Sequence, residues 1–352
     1  MAEWGGLVRR LRRTSLREET IGAGAALRGR LWCGDGTTYD DGRVVVDTAG
    51  LVAAVGAATD VAVPFGCLEV EGEWLGPGVV DSHVHLAFAE MDDVLRGAVV
   101  AVRDLGAPPA DAARWRASRG LRVEVAGPLL TAPGGYPSLS WGSAGFAAFV
   151  DAPDQADALV RGLASQVDVV KLALEPRGGP VPSPELCAAV VAAAHAAGRR
   201  VTCHALSLEM VERALDAGVD ELAHAPTEQL PGELVDRIGA HGTAVVSTVR
   251  AFAERGGAAR DNLAALLAAG AVIRYGTDLG NGGIRPGVDA AELEILAATG
   301  LGPAGALQAA TEPITVGQRA GLVLLDDDPL AHPGVWRRPR AVLAGTTLLL
   351  RG

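Results

Sequence analysis

The sequence predicts an α/β protein: a (β/α)8 TIM barrel with a small discontinuous β-sandwich domain built from both chain ends. The chain has 352 residues, whereas such a barrel takes about 250, so there is room for one accessory domain. Apolar strand-like runs alternate with Ala- and Leu-rich helical stretches through the middle of the chain, which favours parallel strands. Both ends instead show short β-like runs broken by turns.

The domain boundaries follow from where these patterns change. The β-like unit near the N-terminus is too short to form a good core alone. We therefore expect the β-like run from Gly321 to Asp326 to return and pair with it. The predicted parts are an N-terminal extension over 1–24, to which we assign no function, an accessory β-sandwich domain over 25–75 and 316–352, and the barrel over 76–315.

The barrel region contains apolar runs of strand length separated by helical segments. One helix is predicted over 184–197, with Ser183 as its N-cap, Pro184 in its first turn and Gly198 after its end. The runs predicted as the eight strands are 79–81, 98–103, 121–126, 167–172, 200–204, 221–224, 244–248 and 272–277.

Composition and charge narrow the class of protein. Hydrophobic residues make up 49% of the sequence, as expected for a globular protein. The formal net charge is −11, so nucleic acid and anionic membranes are expected to repel the protein. The basic run from Arg9 to Arg13 reads as a solvated segment. Four scattered cysteines fit a reducing compartment. With no apolar stretch suited to crossing a bilayer, we expect a cytoplasmic protein.

Polar residues recur where the predicted strands end. His83 and His85 end the first strand, and residues two apart on a strand point the same way. In a (β/α) barrel the carboxyl ends of the strands form one face, where reactive residues sit. The other polar residues at strand ends are Lys171, His204, His224 and Asp278.

These residue types predict a metal site. Imidazole and carboxylate suit Zn²⁺ and similar divalent metals, so we expect Zn²⁺, with two ions per chain and other divalent metals remaining open. A lysine ammonium is a poor ligand, but a lysine carboxylated by CO2 is an anionic carbamate able to bridge two metals. The alternative for Lys171 is an ion pair with Glu175 or Asp168.

The stretch Gly-Pro-Gly-Val-Val-Asp-Ser-His-Val-His at 76–85 closely resembles the opening motif of the amidohydrolase superfamily. The order HxH, Lys, His, His, Asp resembles its binuclear members, and the imidazolonepropionase-like and prolidase-like subgroup is the most similar. The stretches at 103–106, 127–128, 134–135 and 321–329 also fit. The resemblance runs from about Ala25 to the end of the chain.

The resemblance implies a role for each matching residue. It implies that His83 and His85 bind the more buried metal and that Lys171 is a bridging carbamate. It implies that His204 and His224 bind the second metal, and that Asp278 is both ligand and general base.

This sequence departs from the family pattern in two places. A histidine is usual after the glycine pair at 134–135, but Tyr136 stands there, so a substrate contact differs. Gly321 replaces the usual aspartate before the C-terminal strand. Imidazolonepropionase chemistry also lacks the lysine ligand, so Lys171 argues against that activity.

The expected reaction is hydrolysis of a C–N amide bond, in a cyclic amide, an N-acyl amino acid or a dipeptide. Metal-activated hydroxide would attack the carbonyl while Asp278 moves the proton to the leaving nitrogen. Residues that could contact substrate, and for which a packing role is equally compatible, are Arg103, Tyr136, Trp141, Thr248, Asn281 and Arg285.

Other functions remain open. A deaminase or a lactonase could use the same site, and a catalytically silent binding or assembly protein could use the same fold. We expect a small-molecule substrate as partner, with no nucleic acid and no membrane. A homo-oligomer is also compatible, since dimers are the common default.

Overall fold

The computed structural model describes residues 16–351 except 119, 143, 256 and 282. The basic run from Arg9 to Arg13 lies outside the described residues. The predicted N-terminal extension reaches too far along the chain, because Leu16–Thr20 forms a strand that pairs antiparallel with the last strand. These five residues are mostly polar and show no strong strand pattern, so pairing with the last strand determines their conformation.

Eighteen strands are present among the described residues. The first five are β1 (Leu16–Thr20), β2 (Ala25–Trp32), β3 (Thr38–Val46), β4 (Val52–Ala57) and β5 (Leu68–Pro77). The next ten are β6 (Val79–Val84), β7 (Val99–Asp104), β8 (Arg122–Val125), β9 (Leu129–Thr131), β10 (Ala147–Phe149), β11 (Val169–Leu174), β12 (Arg200–Ala205), β13 (Glu221–Leu222), β14 (Ala244–Val246) and β15 (Ile273–Arg274). The last three are β16 (Gly321–Leu325), β17 (Ala341–Ala344) and β18 (Thr347–Arg351).

Nine α-helices lie between the strands of the described chain. They are α1 (Met91–Arg96), α2 (Pro109–Arg116), α3 (Pro153–Ala164), α4 (Pro184–Ala196), α5 (Leu208–Ala217), α6 (Gly232–His241), α7 (Ala258–Ala268), α8 (Ala290–Leu296) and α9 (Gly302–Ala309). The capping prediction for α4 is confirmed, since Ser183 Oγ accepts a hydrogen bond from Leu186 N. Among these described helices, none combines the length and the apolar character needed to cross a membrane.

Strands from both chain ends form one eight-stranded sheet, ordered β1-β18-β17-β16-β5-β2-β3-β4. The predicted return of the C-terminal run is confirmed, because β16 pairs antiparallel with β5. The predicted sandwich of two sheets is wrong, since hydrogen bonds join all eight strands. Leu27 and Val44 nevertheless share one buried cluster with Leu322 and Leu343, so strands from both chain ends contribute to one core.

The parallel strands lie in two further sheets, ordered β6-β7-β8 and β10-β9-β11-β12-β13-β14-β15. The protein is therefore α/β as predicted, with its parallel strands divided between a three-stranded and a seven-stranded sheet. Hydrogen bonds join the two sheets at both sides. Asp168 N donates to Val125 O at 2.8 Å on one side, and Ser82 N donates to Tyr275 O at 3.1 Å on the other.

A buried carboxylate fastens β6 to the segment that follows β15. Asp81 is 2% exposed. Its Oδ1 accepts from the backbone nitrogens of His83 (3.1 Å) and Thr277 (3.0 Å), and its Oδ2 accepts from Thr277 Oγ1 (2.5 Å). Burial raises the pKa of Asp81 to about 7, although these donors oppose the shift. This clamp sets the relative position of the two segments that carry His83 and Asp278.

The variant Thr277→Val tests this clamp. It keeps the side-chain shape but removes a donor from a buried carboxylate, so we expect the free energy of unfolding to fall by about 1–3 kcal/mol in urea denaturation. The matched control is Thr59→Val, which removes an exposed Thr–Asp hydrogen bond. Equal effects for the two variants would show that Asp81 does not fasten the segments.

Candidate metal centre

His83, His85 and Asp278 converge on one point. Nε2 of each histidine lies 3.4 Å from Asp278 Oδ1, and the three ligand atoms all lie within 4.8 Å of one another. His83 Nδ1 lies 2.8 Å from Ala223 O. A carbonyl only accepts hydrogen bonds, so the proton lies on Nδ1 and the unprotonated Nε2 faces the carboxylate. This group could hold a metal ion.

Asp278 is held in a specific orientation. Its backbone is left-handed (φ 56°), which is uncommon outside glycine. Asn281 Nδ2 donates to its Oδ2 at 2.8 Å, so Oδ1 is the oxygen that faces the histidines. Burial alone would favour the neutral acid. The pKa of Asp278 nevertheless lies well below its usual range, because the adjacent His83, a hydrogen bond from His85 and the adjacent His224 favour its charged form.

Lys171, in β11, is 1% exposed, and its Nζ has no hydrogen-bond partner among the described residues. Burial lowers the pKa of this amine to about 8. The alternative of an ion pair with Asp168 is wrong, because that carboxylate accepts from Arg116 and from Val125 N. The sequence contains 31 Lys and Arg residues, and Lys171 is its only lysine. The one amine side chain of the protein is therefore buried beside the histidines.

His204 and His224 form a second pair. His204 Nδ1 lies 2.9 Å from His224 Nε2, and the rings of His83 and His224 are 4.5 Å apart, so the second pair adjoins the first group. Burial lowers the pKa of both histidines and favours the neutral ring, which is the form that binds metal. The outer nitrogens also have partners: His224 Nδ1 lies 3.0 Å from Thr248 Oγ1, and His204 Nε2 lies 3.4 Å from Glu175 Oε2.

Aromatic side chains border both histidine groups. The Tyr136 ring lies 5.2 Å from the His204 ring, and the Trp141 ring lies 5.0 Å from the His85 ring. Trp141 Nε1 donates to Tyr136 Oη at 3.0 Å, so the two rings form a linked pair. Phe88 and Phe146 pack against Trp141. Both members of the linked pair are only half-buried, so each keeps a surface that a substrate can contact.

The other predicted substrate contacts lie in different surroundings. Arg103 is 7% exposed and pairs with Glu221 (2.7 Å) and Glu124 (3.2 Å). Its prediction as a substrate contact is wrong, because two carboxylates already bind its guanidinium. Thr248 faces His224, and Asn281 faces Asp278. Arg285 is exposed on the segment after Asp278, and its role stays a prediction.

Sequence reasoning missed two residues of this region, Glu175 and Phe252. The sequence indicates Glu175 only as a partner for Lys171, but the carboxylate is directed at His204. A signal was available, because residues four apart on an extended strand share a face. Phe252 packs edge-on against the His224 ring at 4.8 Å. It lies in a short helical segment that no strand pattern reveals.

Comparison with known proteins identifies a family and a curated relative of this chain. Residues 74–346 match the amidohydrolase family. An uncharacterised protein of Mycobacterium tuberculosis (strain ATCC 25618 / H37Rv) is 29% identical over 205 residues, and the match covers 51% of this chain and 51% of that protein. The chain thus spans about half the length of the curated relative that it matches.

Two solved structures share the fold. A proposed prolidase from Bifidobacterium longum superposes with a TM-score of 0.80 at 24% identity, over 93% of this chain and 95% of that one. A Xaa-Pro dipeptidase with bound methionine in its active site gives 0.79 at 20% identity, over 94% and 100%. At these identities the likeness shows the fold alone.

The variant Arg103→Met tests whether Arg103 stabilises the fold through its ion pairs or contacts the substrate. The variant leaves Glu221 buried with Arg274 as its remaining cation, so we expect the free energy of unfolding to fall by about 3–5 kcal/mol in urea denaturation. The control Arg114→Met removes an exposed pair and should change little. Unchanged stability together with a KM raised tenfold or more would instead restore the substrate-binding role.

Proposed function

This chain belongs to the amidohydrolase family, and from that membership we propose that it is a metal-dependent hydrolase that cleaves a C–N amide bond. The observation that carries the proposal is the convergence of His83 Nε2 and His85 Nε2 on Asp278 Oδ1, at 3.4 Å each. A neutral imidazole and an ionised carboxylate are the donor types that zinc prefers. The residues present therefore fit a divalent cation.

We also propose that the two parallel sheets are parts of one (β/α)8 barrel. The hydrogen bonds from Asp168 to Val125 and from Ser82 to Tyr275 support this, because they join the sheets at both sides. The side chains at the strand ends would then share one mouth. The domain division predicted from the sequence is kept, with an accessory domain from both ends, except that β1 joins it.

The proposed centre holds two divalent cations, for which Zn²⁺ is our first choice. His83, His85 and Asp278 would hold the first, and His204 and His224 the second. A bound divalent metal supplies a Lewis acid and lowers the pKa of water toward neutrality. Lys171 would link the two sites as a carbamate. The lone pair of the neutral Nζ forms an N–C bond with CO2, one C=O π bond breaks and its electron pair moves to oxygen, and one proton passes from the nitrogen to solvent.

The protein's own side chains would then move the proton and orient the substrate. Asp278 accepts a proton from the attacking water and delivers it to the leaving nitrogen. Asn281 keeps the Oδ1 of that carboxylate turned inward. Tyr136 and Trp141 border both histidine groups and would contact the substrate.

The proposed substrates are cyclic amides, N-acyl amino acids and dipeptides. The fold shared with a Xaa-Pro dipeptidase supports including dipeptides in this group. Product analysis separates this proposal from a deaminase, which releases ammonia, and from a lactonase, which releases no amine. The cytoplasmic location, the small-molecule partner and the oligomeric state stay predictions from the sequence.

The variant Asp278→Asn tests the assigned base. The amide cannot accept the proton, so kcat should fall about 10²–10⁴-fold on any amide that the wild type cleaves, and the fall should remain when elemental analysis shows the variant to be metal-loaded. The control is Asp157→Asn, which alters an exposed pair with Arg161. A variant that turns over near the wild-type rate would remove Asp278 from the role of base.

The carbamate is tested by ¹³C NMR of the zinc-loaded protein in ¹³C-bicarbonate. Because the chain has a single lysine, a side-chain carbamate signal can come only from Lys171. We expect one such signal in the wild type and none in Lys171→Arg, whose guanidinium stays protonated. The variant should also lose bound metal. An unmodified lysine in a chain that binds one metal would contradict the two-metal proposal.

A further inference from the structure

Glu175 is a buried carboxylate directly after β11, on the face that the strand shares with Lys171. It is 8% exposed. Its Oε1 accepts from Arg177 N at 3.0 Å, which caps the short helical turn Pro176–Gly178. Its Oε2 lies 3.4 Å from His204 Nε2. One carboxylate therefore contacts both a candidate metal ligand and the backbone of the following turn.

This contact determines which nitrogen of His204 carries the proton. A carboxylate only accepts hydrogen bonds, so this contact favours the tautomer with the proton on Nε2 and the lone pair on Nδ1. That Nδ1 is the atom 2.9 Å from His224 Nε2. On His224, Thr248 Oγ1 is the partner of the outer nitrogen, Nδ1. The Thr248 hydroxyl can accept a hydrogen bond from this Nδ1, which leaves a lone pair on His224 Nε2. Two inward lone pairs repel each other unless a cation lies between them.

We propose that Glu175 is a positioning residue that holds His204 with an unprotonated Nδ1 turned toward His224, so that this pair binds the second divalent cation. The inference rests on the proposed function, because it assigns Glu175 to one of the two proposed metal sites. Outer carboxylates that fix the ring and tautomer of a ligand histidine typically change metal affinity 10–100-fold when removed. The first site has a different outer contact, Ala223 O on His83, so it should not depend directly on Glu175.

The turn capped by Glu175 also positions Tyr136. A side chain at Gly178 would place its Cβ 2.6 Å from Tyr136 Cβ, so only glycine lets the ring lie this close to the turn. The Tyr136 ring in turn packs on His204. Glu175 therefore acts on the His204 side of the centre directly, through its hydrogen bond and through this packing, and reaches the His85 side indirectly, through Tyr136 and Trp141.

The experiment is a zinc titration of the chelator-treated full chain, with isothermal titration calorimetry and elemental analysis as readouts. Glu175→Gln keeps the side-chain shape, but its amide can donate to Nε2 and reverse the tautomer of His204. We expect the wild type to bind two Zn²⁺. Glu175→Gln should bind one of them about 10–100-fold more weakly and the other unchanged. Glu175→Asp, which keeps a carboxylate, should recover part of the loss.

The control variant is Glu209→Gln, which alters an exposed i,i+4 pair with Arg213 and should titrate like the wild type. Two unchanged sites in Glu175→Gln would overturn the inference and leave the proposed function intact. Equal weakening of both sites, with a lowered melting temperature of the metal-free protein, would make Glu175 merely structural and also overturn it. A wild type that binds no divalent cation would instead refute the proposed function itself.

Discussion

The arrangement of the centre depends on one buried charge, the ionised carboxylate of Asp278 facing two histidines. An ionised group in a protein interior costs several kcal/mol unless neighbours compensate it, and this carboxylate is 3% exposed. Asn281 donates to Oδ2, and the two imidazoles face Oδ1, where a cation bound in the proposed centre would supply the compensating charge. The left-handed backbone at Asp278 is a local cost that the Asp81–Thr277 clamp, one residue earlier, helps to sustain.

Lys171 is a second ionisable group that is buried in this centre. Its amine is buried without a hydrogen-bond partner among the described residues, although every other residue of the 31 Lys and Arg in the chain is arginine. Arginine would satisfy a requirement for positive charge or for an ion pair, and it is the better residue for both in buried surroundings. What it cannot do is lose its proton and act as a nucleophile. A single retained lysine at this position therefore favours a role that needs a neutral amine.

Sequence patterns predicted the elements of this protein better than its pairings. Strand ends and the α4 cap follow from local chemistry, so His83, His204 and Asp278 could be found by position alone. Partner choice is not local. Arg103 ends a strand like a site residue, yet it pairs with Glu221, 118 positions away, and Glu175 faces a histidine of the neighbouring strand instead of the lysine on its own. The return of β16 to β5 was predicted from the β-like pattern at both chain ends, but the pairing of β1 with β18 was not, because the polar run of β1 has no strand pattern.

The aromatic pair links substrate contact to metal geometry. Tyr136 packs on His204 and Trp141 packs on His85, while an indole-to-phenol hydrogen bond joins the two rings. A change of either ring therefore alters the packing of a candidate ligand as well as the surface offered to substrate. A histidine in place of Tyr136 would bring a smaller ring and a third titratable group beside His204. The departure at Tyr136 thus changes more than one contact: it places a phenol ring against His204 and supplies the hydroxyl that accepts from Trp141.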